Sequence, residues 1–388
     1  MVDSRDRESK RLSIGRAALL SLCVITVVSL IFALTEHATS KVGLESSSST
    51  SSTPSPTFST TTSIATRGEA STLVAISCIS VNCVAVGSLS GGTGLVETSS
   101  NSGSSFVLSS IPLNTGELNG VSCFSATNCV AVGSNQIIRS SNNGSTWTQI
   151  SSPDSSATFE SVTCITGDIC LIVGMTPNPG TIDSAVILRS TNGGLSFEKA
   201  SYPNFTNGLG AIACPTSTTC IAVGATVMVS NDAGASWFEK TVNGGIDALS
   251  SISCVNSSSC IALGPNLAGI SSPTLSAMSI ETGDGGSSFA RSALPPSTAS
   301  LWSLSCNGST CLAVGPPEAK GDPPNALRSS DSGKTWSSIN VPTSLKTLLA
   351  SQCFSDSSCV AVGESSTNLA SVANVLPNGT EFTLGVVR

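Results

Sequence analysis

Ser122 to Ile150 reads SCFSATNCVAVGSNQIIRSSNNGSTWTQI, and the chain from about residue 70 to its end repeats that grammar seven times. An apolar run ends in Cys123. After a polar loop, Cys129-Val130-Ala131-Val132-Gly133 is a short β-branched segment closed by glycine, so the pair reads as strand, turn and strand. Gln136 to Arg139, the turn Ser140 to Gly144 with its Asn-Gly signal, and Ser145 to Ile150 then read as a second hairpin. Four short strands in about 40 residues have the size of one propeller blade.

The other copies keep this order. Cysteine pairs fall at Cys78/Cys83, Cys123/Cys129, Cys164/Cys170, Cys214/Cys220, Cys254/Cys260, Cys306/Cys311 and Cys353/Cys359. A glycine closes the next strand each time, from Gly87 to Gly363. Trp302 begins a first strand and is expected in the core. The second turns carry Asn101 and Gly103; Asn142, Gly144 and Trp147; Asn192 and Gly194; Asp232, Gly234 and Trp237; Asp284 and Gly286; and Asp331, Gly333 and Trp336. The last copy retains only Asn378-Gly379 and Phe382.

The pattern Ser/Thr-x-Asp-x-Gly-x-x-Trp resembles the Asp-box, or bacterial neuraminidase repeat. That superfamily includes sialidases, sortilin-type receptors, xyloglucan-cleaving hydrolases and photosystem II assembly-factor propellers. The resemblance spans nearly all of residues 70–388 and implies an all-β, seven-bladed β-propeller of four-stranded antiparallel blades. It implies no activity, because these relatives do different things. Asn replaces Asp in half of the good copies, which suits a turn residue that hydrogen-bonds its own backbone and not a catalytic carboxylate.

Four segments are expected: residues 1–16, a basic cytoplasmic head; 17–34, a transmembrane signal-anchor helix; 35–68, a flexible, disordered Ser/Thr/Pro-rich stalk; and 69–388, the propeller. Ala17 to Leu34 runs 18 residues without a charge, and Arg5, Arg7, Lys10, Arg11 and Arg16 precede it. The positive-inside rule then places the N-terminus in the cytoplasm and the ring outside, as a single-pass protein of the cell membrane. Of 15 cysteines, 14 form the seven pairs and Cys23 lies in the apolar run. Zinc is the rival reading of the pairs. Each blade offers two thiols where a tetrahedral site wants four ligands, and His37 is the only histidine, so local disulfides in an oxidising compartment are expected.

With each repeat expected to supply all four strands of its own blade, the ring has no obvious closing strand; Ser59 to Thr66 is a candidate for one. In such a ring the cysteine loops and second turns share one face. The variable loops share the other, where function usually sits. The interval from the closing glycine to the next turn is 6 residues after Gly224 but 18 after Gly264. Those loops, with the loops from each outer strand to the next inner strand on the same face, hold Glu117, Asp154, Glu160, Asp183, Asp247, Glu318, Asp322 and Glu364, an expected acidic binding face.

From Glu69 onward 19 acidic residues stand against 10 basic ones, a net −9. So few cations cannot neutralise many phosphates, which argues against nucleic acid. Histidine-dependent triads and metal chemistry lack their histidine, Tyr202 is the only tyrosine for a sialidase-like nucleophile, and no cofactor is implied. The expected function is a non-catalytic binding or assembly scaffold for a protein or cell-envelope glycan. The alternative is a surface glycoside hydrolase using loop carboxylates.

Overall fold

A computed structural model describes residues 70–387, apart from 166–167, 179–182, 204–206, 267–275, 297, 299, 318–320, 357, 376–381 and 385. The head, the apolar run and the stalk, with Cys23 and Ser59 to Thr66, lie outside the described residues, as does Glu318.

Seven antiparallel sheets follow one another in chain order. Blade 1 is β1 (Ser71–Ile79), β2 (Asn82–Leu89), β3 (Gly94–Ser99) and β4 (Ser105–Leu108). Blade 2 is β5 (Leu118–Cys123), β6 (Cys129–Gly133), β7 (Gln136–Ser140) and β8 (Thr148–Ile150). Blade 3 is β9 (Thr158–Cys164), β10 (Cys170–Thr176), β11 (Ser184–Ser190) and β12 (Glu198–Lys199). Blade 4 is β13 (Leu209–Ala213), β14 (Cys220–Gly224), β15 (Val227–Ser230) and β16 (Phe238–Lys240). Blade 5 is β17 (Ser251–Cys254), β18 (Cys260–Asn266), β19 (Ser276–Thr282) and β20 (Ala290–Ser292). Blade 6 is β21 (Ser303–Asn307), β22 (Thr310–Gly315), β23 (Asn325–Ser329) and β24 (Ser337–Ser338). Blade 7 is β25 (Leu345–Ser355), β26 (Ser358–Ser365), β27 (Ala370–Val375) and β28 (Phe382–Leu384). The first strands of successive blades touch one another all the way round, β25 meeting β1, so they ring a common axis.

The core lies between blades. Each of seven apolar clusters draws on two neighbours: blades 1 and 2, for instance, share Val84, Val86 and Val96 with Leu118, Val121 and Ile138. Every sheet therefore buries both faces, and its second strand is a continuous apolar run such as Cys129–Gly133, buried throughout. The aromatic after each second turn enters the cluster shared with the preceding blade: Phe106, Trp147, Phe197, Trp237, Phe289, Trp336 and Phe382.

Closure uses a device not visible in the repeats. A last strand, β29 (Val386–Val387), pairs in parallel with β4 and gives blade 1 a fifth strand. The expectation that each blade is made by one repeat alone thus fails at blade 1. The seam is also stitched near the axis, where Ser71 N donates to Asn368 O at 3.0 Å and Ala370 N to Ser71 Oγ at 2.9 Å.

The recurrent glycine ends the second strand in blades 2, 4 and 6, at Gly133, Gly224 and Gly315, but not in the other four. β2, β10, β18 and β26 run on past Gly87, Gly174, Gly264 and Gly363. The residue is needed because the first strand crosses it closely: a Cβ on Gly133 would stand 1.9 Å from the Glu117 carbonyl oxygen.

Candidate functional site at the axial mouth

The crossing coincides with a bulge. In blade 1 the ladder passes from Leu73 to Ala75 and skips Val74; in blade 2 it skips Asn119, in blade 3 Glu160, in blade 4 Gly210 and in blade 7 Leu349. Blades 5 and 6 reproduce it, since Ser250 N and Trp302 N donate to Leu263 O and Val314 O, the carbonyls of the residues that Ser251 and Ser303 face. A bulge leaves its extra residue unpaired and re-aims its side chain. Seven partly buried residues thus stand at one height on the axial edge of the innermost strands.

Their chemistry divides by arc. Blades 6, 7 and 1 contribute Trp302, Leu349 and Val74. Blades 2 and 3 contribute Asn119 and Glu160, with Glu117 two residues before Asn119. Blades 4 and 5 contribute only Gly210 and Ser250. Trp302, expected in the core, is instead partly exposed, with Nε1 donating to Ser300 Oγ at 3.0 Å. The bulge re-aims the residue at the start of this strand.

The acidic arc is electrostatically tight. Crowding by protein atoms, with Glu117 nearby adding a like charge, pushes Glu160 up to about 7, although its side chain keeps partial access to solvent. Burial likewise raises Glu117. Asn119 Nδ2 donates to Phe159 O at 3.0 Å and ties the two innermost strands together beside these carboxyls.

Three others of the expected acidic face, Asp154, Glu364 and Asp183, are already engaged. Burial works against the Asp154 carboxylate, but hydrogen bonds from Lys199 and Ser156 hold it below the usual range; Lys199 Nζ lies 2.8 Å away on the outer strand of blade 3. Glu364 is buried against Lys346 at 2.9 Å, an ammonium that Asn368 also binds. Asp183 is buried and accepts from Asn178 N at 3.2 Å. Asp247 lies partly buried just before Leu249, and Asp322 is exposed. No three His, Cys, Asp or Glu side chains converge as a metal site among the described residues.

The opposite face is built by repetition. All seven cysteine pairs are disulfide-bonded, Cys78–Cys83, Cys123–Cys129, Cys164–Cys170, Cys214–Cys220, Cys254–Cys260, Cys306–Cys311 and Cys353–Cys359, each at the tip of the inner hairpin. In blade 4, Ser230 Oγ accepts from Gly234 N at 2.8 Å and donates to Asp232 Oδ1; Asp232 Oδ1 accepts from Ser236 N at 2.9 Å, and Asp232 Oδ2 from Ser236 Oγ. Blade 2 repeats this around Asn142, except that Asn142 Nδ2 donates to Thr146 Oγ1 at 2.8 Å. A hydroxyl can take either role, so Asp and Asn are equivalent here. Asn101, Asn192, Asp284 and Asp331 make the same backbone bond. Gly103, Gly144, Gly194, Gly234, Gly286 and Gly333 all have positive φ.

One element of this face escaped the sequence reading. Cys123 N, Cys164 N, Cys306 N and Cys353 N donate at 2.8–3.0 Å to Ser77, Ser122, Ser253 and Ser305 Oγ of the preceding blade. The signal was a serine directly before the first cysteine in those four donor-accepting blades.

No protein-family model matches the sequence, and no curated protein matches it. Solved structures do resemble it in shape. A structure of YCF48 bound to D1 peptide superposes with a TM-score of 0.55 at 13% identity, covering 76% of this chain and 92% of that one. YCF48 from Cyanidioschyzon merolae gives 0.54 at 14%, covering 80% and 97%. The GH74 xyloglucanase from Xanthomonas campestris gives 0.58 at 12%, covering 82% of this chain and 55% of that protein, so the chain spans about half of it. At these identities the likeness is one of fold: the chain is a seven-bladed β-propeller, an architecture shared by peptide-bound and glycoside-hydrolase structures alike.

Proposed function

We propose that this chain is a membrane-anchored, extracytoplasmic propeller acting as a non-catalytic binding or assembly scaffold, and that it takes a protein or cell-envelope ligand at its axial mouth. The observation that carries this reading is the uneven ring of bulge residues, with Trp302, Leu349 and Val74 on the arc of blades 6, 7 and 1 and Asn119 and Glu160, near Glu117, on the adjoining arc of blades 2 and 3. An apolar arc beside a carboxyl arc fits a segment that presents an apolar side chain and a cation together. Residues 17–34 supply the anchor and residues 35–68 the stalk. The turns that resemble Asp-boxes serve the ring and not the ligand. The peptide-bound YCF48 structure supports a polypeptide partner for this fold.

One observation favours the hydrolase as a second reading. Glu160 is held up to about 7 beside Glu117, and a proton-holding acid next to a second carboxyl is what two-carboxylate glycoside hydrolysis uses. The two readings separate in one experiment. The full chain is incubated with envelope extract and cross-linked, the captured material is identified, and released sugar is assayed in the same tube. A captured protein, lost on Trp302→Ala and without sugar release, supports the scaffold. Sugar release abolished by Glu160→Gln overturns it in favour of the hydrolase.

A further inference from the structure

Glu97 occupies a place that the rest of the ring fills with hydrocarbon. It lies on β3 two residues before the turn-opening Ser99, and the same slot holds Ile138, Leu188, Met228, Ile280, Leu327 and Ala373 in the following blades. Each of those six belongs to the cluster shared with the preceding blade. For blade 1 the preceding blade is blade 7, so Glu97 stands in the seam where the two ends of the ring meet.

The side chain is 0% exposed, and neither carboxyl oxygen has a hydrogen-bond partner. Around it lies the apolar cluster of Leu73, Ala85 and Leu95 from blade 1 with Val360 and Val372 from blade 7. No cation answers it among the described residues of the packed elements. β1, β2, β4, β27 and β29 carry no ionisable side chain apart from the disulfide-bonded cysteines, and on β26 the only one is Glu364, already bound to Lys346 of β25 at 2.9 Å. A charge in such a place is costly unless paired, so the group must hold its proton.

We propose that Glu97 is a proton-operated latch at the closing seam. Protonated, it completes the core between blades 7 and 1; ionised, it loosens that seam before any other. The direction follows from linkage. Burial moves Glu97 from 4.5 up to about 8, so the folded ring binds a proton that the opened chain releases. The contribution is fully present below pH 4.5, falls as pH rises through the window to about 8, and is constant above it. Within that window each pH unit shifts the open-to-closed ratio about tenfold. In the other six seams the same slot carries no titratable group, and the seventh also bears the two-residue strand β29. A rise in external pH would therefore open the ring between its first and last blades.

Amide hydrogen exchange of the full chain in detergent, followed from pH 5 to 9 and corrected for intrinsic rates, tests the latch. β3 and β27 report on the closing seam, and β11 and β15 on the seam between blades 3 and 4. The expected result is protection in β3 and β27 that falls up to about tenfold per pH unit relative to β11 and β15. Glu97→Leu, which restores the side chain found elsewhere in the slot, should flatten that difference and raise Tm at pH 8; Glu97→Gln, neutral and of the same shape, should flatten it too. A pH course unchanged in either variant, or seams that lose protection together in the wild type, overturns the proposal.

Discussion

The two faces of the ring obey different rules. On the disulfide face every blade has a cross-strand cystine and an aromatic driven into the preceding blade, and blades 1 to 6 close the second turn with the same hydroxyl and Asx side chain. On the axial-mouth face the backbone repeats its bulge seven times, but the side chain it presents differs in every blade. A contact repeated in every blade answers a demand that every seam makes. A residue that occurs once, such as Glu160, Trp302 or Glu97, answers something the fold does not require.

The comparison breaks most sharply where the two rules meet, at the glycines beneath the bulges. In Gly133→Ala the new methyl would lie 1.9 Å from a backbone oxygen, which no rotamer change can relieve. Overpacking of this kind costs about 3 kcal/mol. Gly283→Ala, where no atom lies within 4 Å of the added carbon, should cost well under about 1 kcal/mol. Equal losses in denaturant unfolding would mean that the crossing is not what selects glycine.

On the disulfide face, Cys214→Ala with Cys220→Ala should cost about 2 kcal/mol, since the bond closes a loop of only a few residues. Repetition makes a sharper statement: the same double change in blade 2, Cys123→Ala with Cys129→Ala, should cost the same within about 0.5 kcal/mol. A difference well beyond that would show that the blades are not equivalent on this face.

The Asx turns give the next smaller effect. Asp232→Ala removes the acceptor for Ser236 and should cost about 1 kcal/mol, as loss of a capping side chain does. Asp232→Asn should cost almost nothing, because Asn142 already makes the same turn in blade 2. Burial opposes ionisation of Asp232, but hydrogen bonds from Ser236 and Ser230 hold it down to about 2; those from Ser288 and Thr335 do the same for Asp284 and Asp331. Groups depressed in this way stabilise the fold above pH 3.8 and lose that contribution as pH falls through about 2. Replacing all three by Asn should flatten the acid limb of a Tm profile between pH 4 and 2. An unchanged limb would place acid sensitivity elsewhere.

What could be read from the residues follows the same division. The cystines, the second turns and the seven-fold count are local, each written within a few residues, so their spacing sufficed. The bulge was not legible, because which residue a ladder skips depends on how closely Gly174 lets Phe159 approach, and that decided whether Glu160 and Trp302 face the axis or the core. The acidic face was overdrawn for a related reason: Asp154 and Lys199 are 45 positions apart, and nothing local announces that they meet. The pairing of β29 with β4 joins the two ends of the ring and leaves no trace in the repeat.

The smallest effect on folding is expected from the residue with the largest proposed role. Glu160→Gln should change stability at pH 4 by less than about 0.5 kcal/mol, because there the carboxyl is mostly protonated in the folded and the unfolded chain alike. Its consequence belongs to binding. If the mouth takes a cation, affinity for a lysine-bearing peptide should rise as pH passes upward through about 7 and Glu160 ionises, by up to about tenfold for one nearby charge pair. Glu160→Gln should remove that rise. Glu117→Gln should move its midpoint to lower pH, since the neighbouring charge is one of the two causes that hold Glu160 up. Titration of the peptide at pH 6, 7 and 8 at low salt distinguishes these cases. An affinity indifferent to pH, or one whose rise survives Glu160→Gln, would separate the acidic arc from recognition and leave Trp302, Leu349 and Val74 as the part of the mouth that binds.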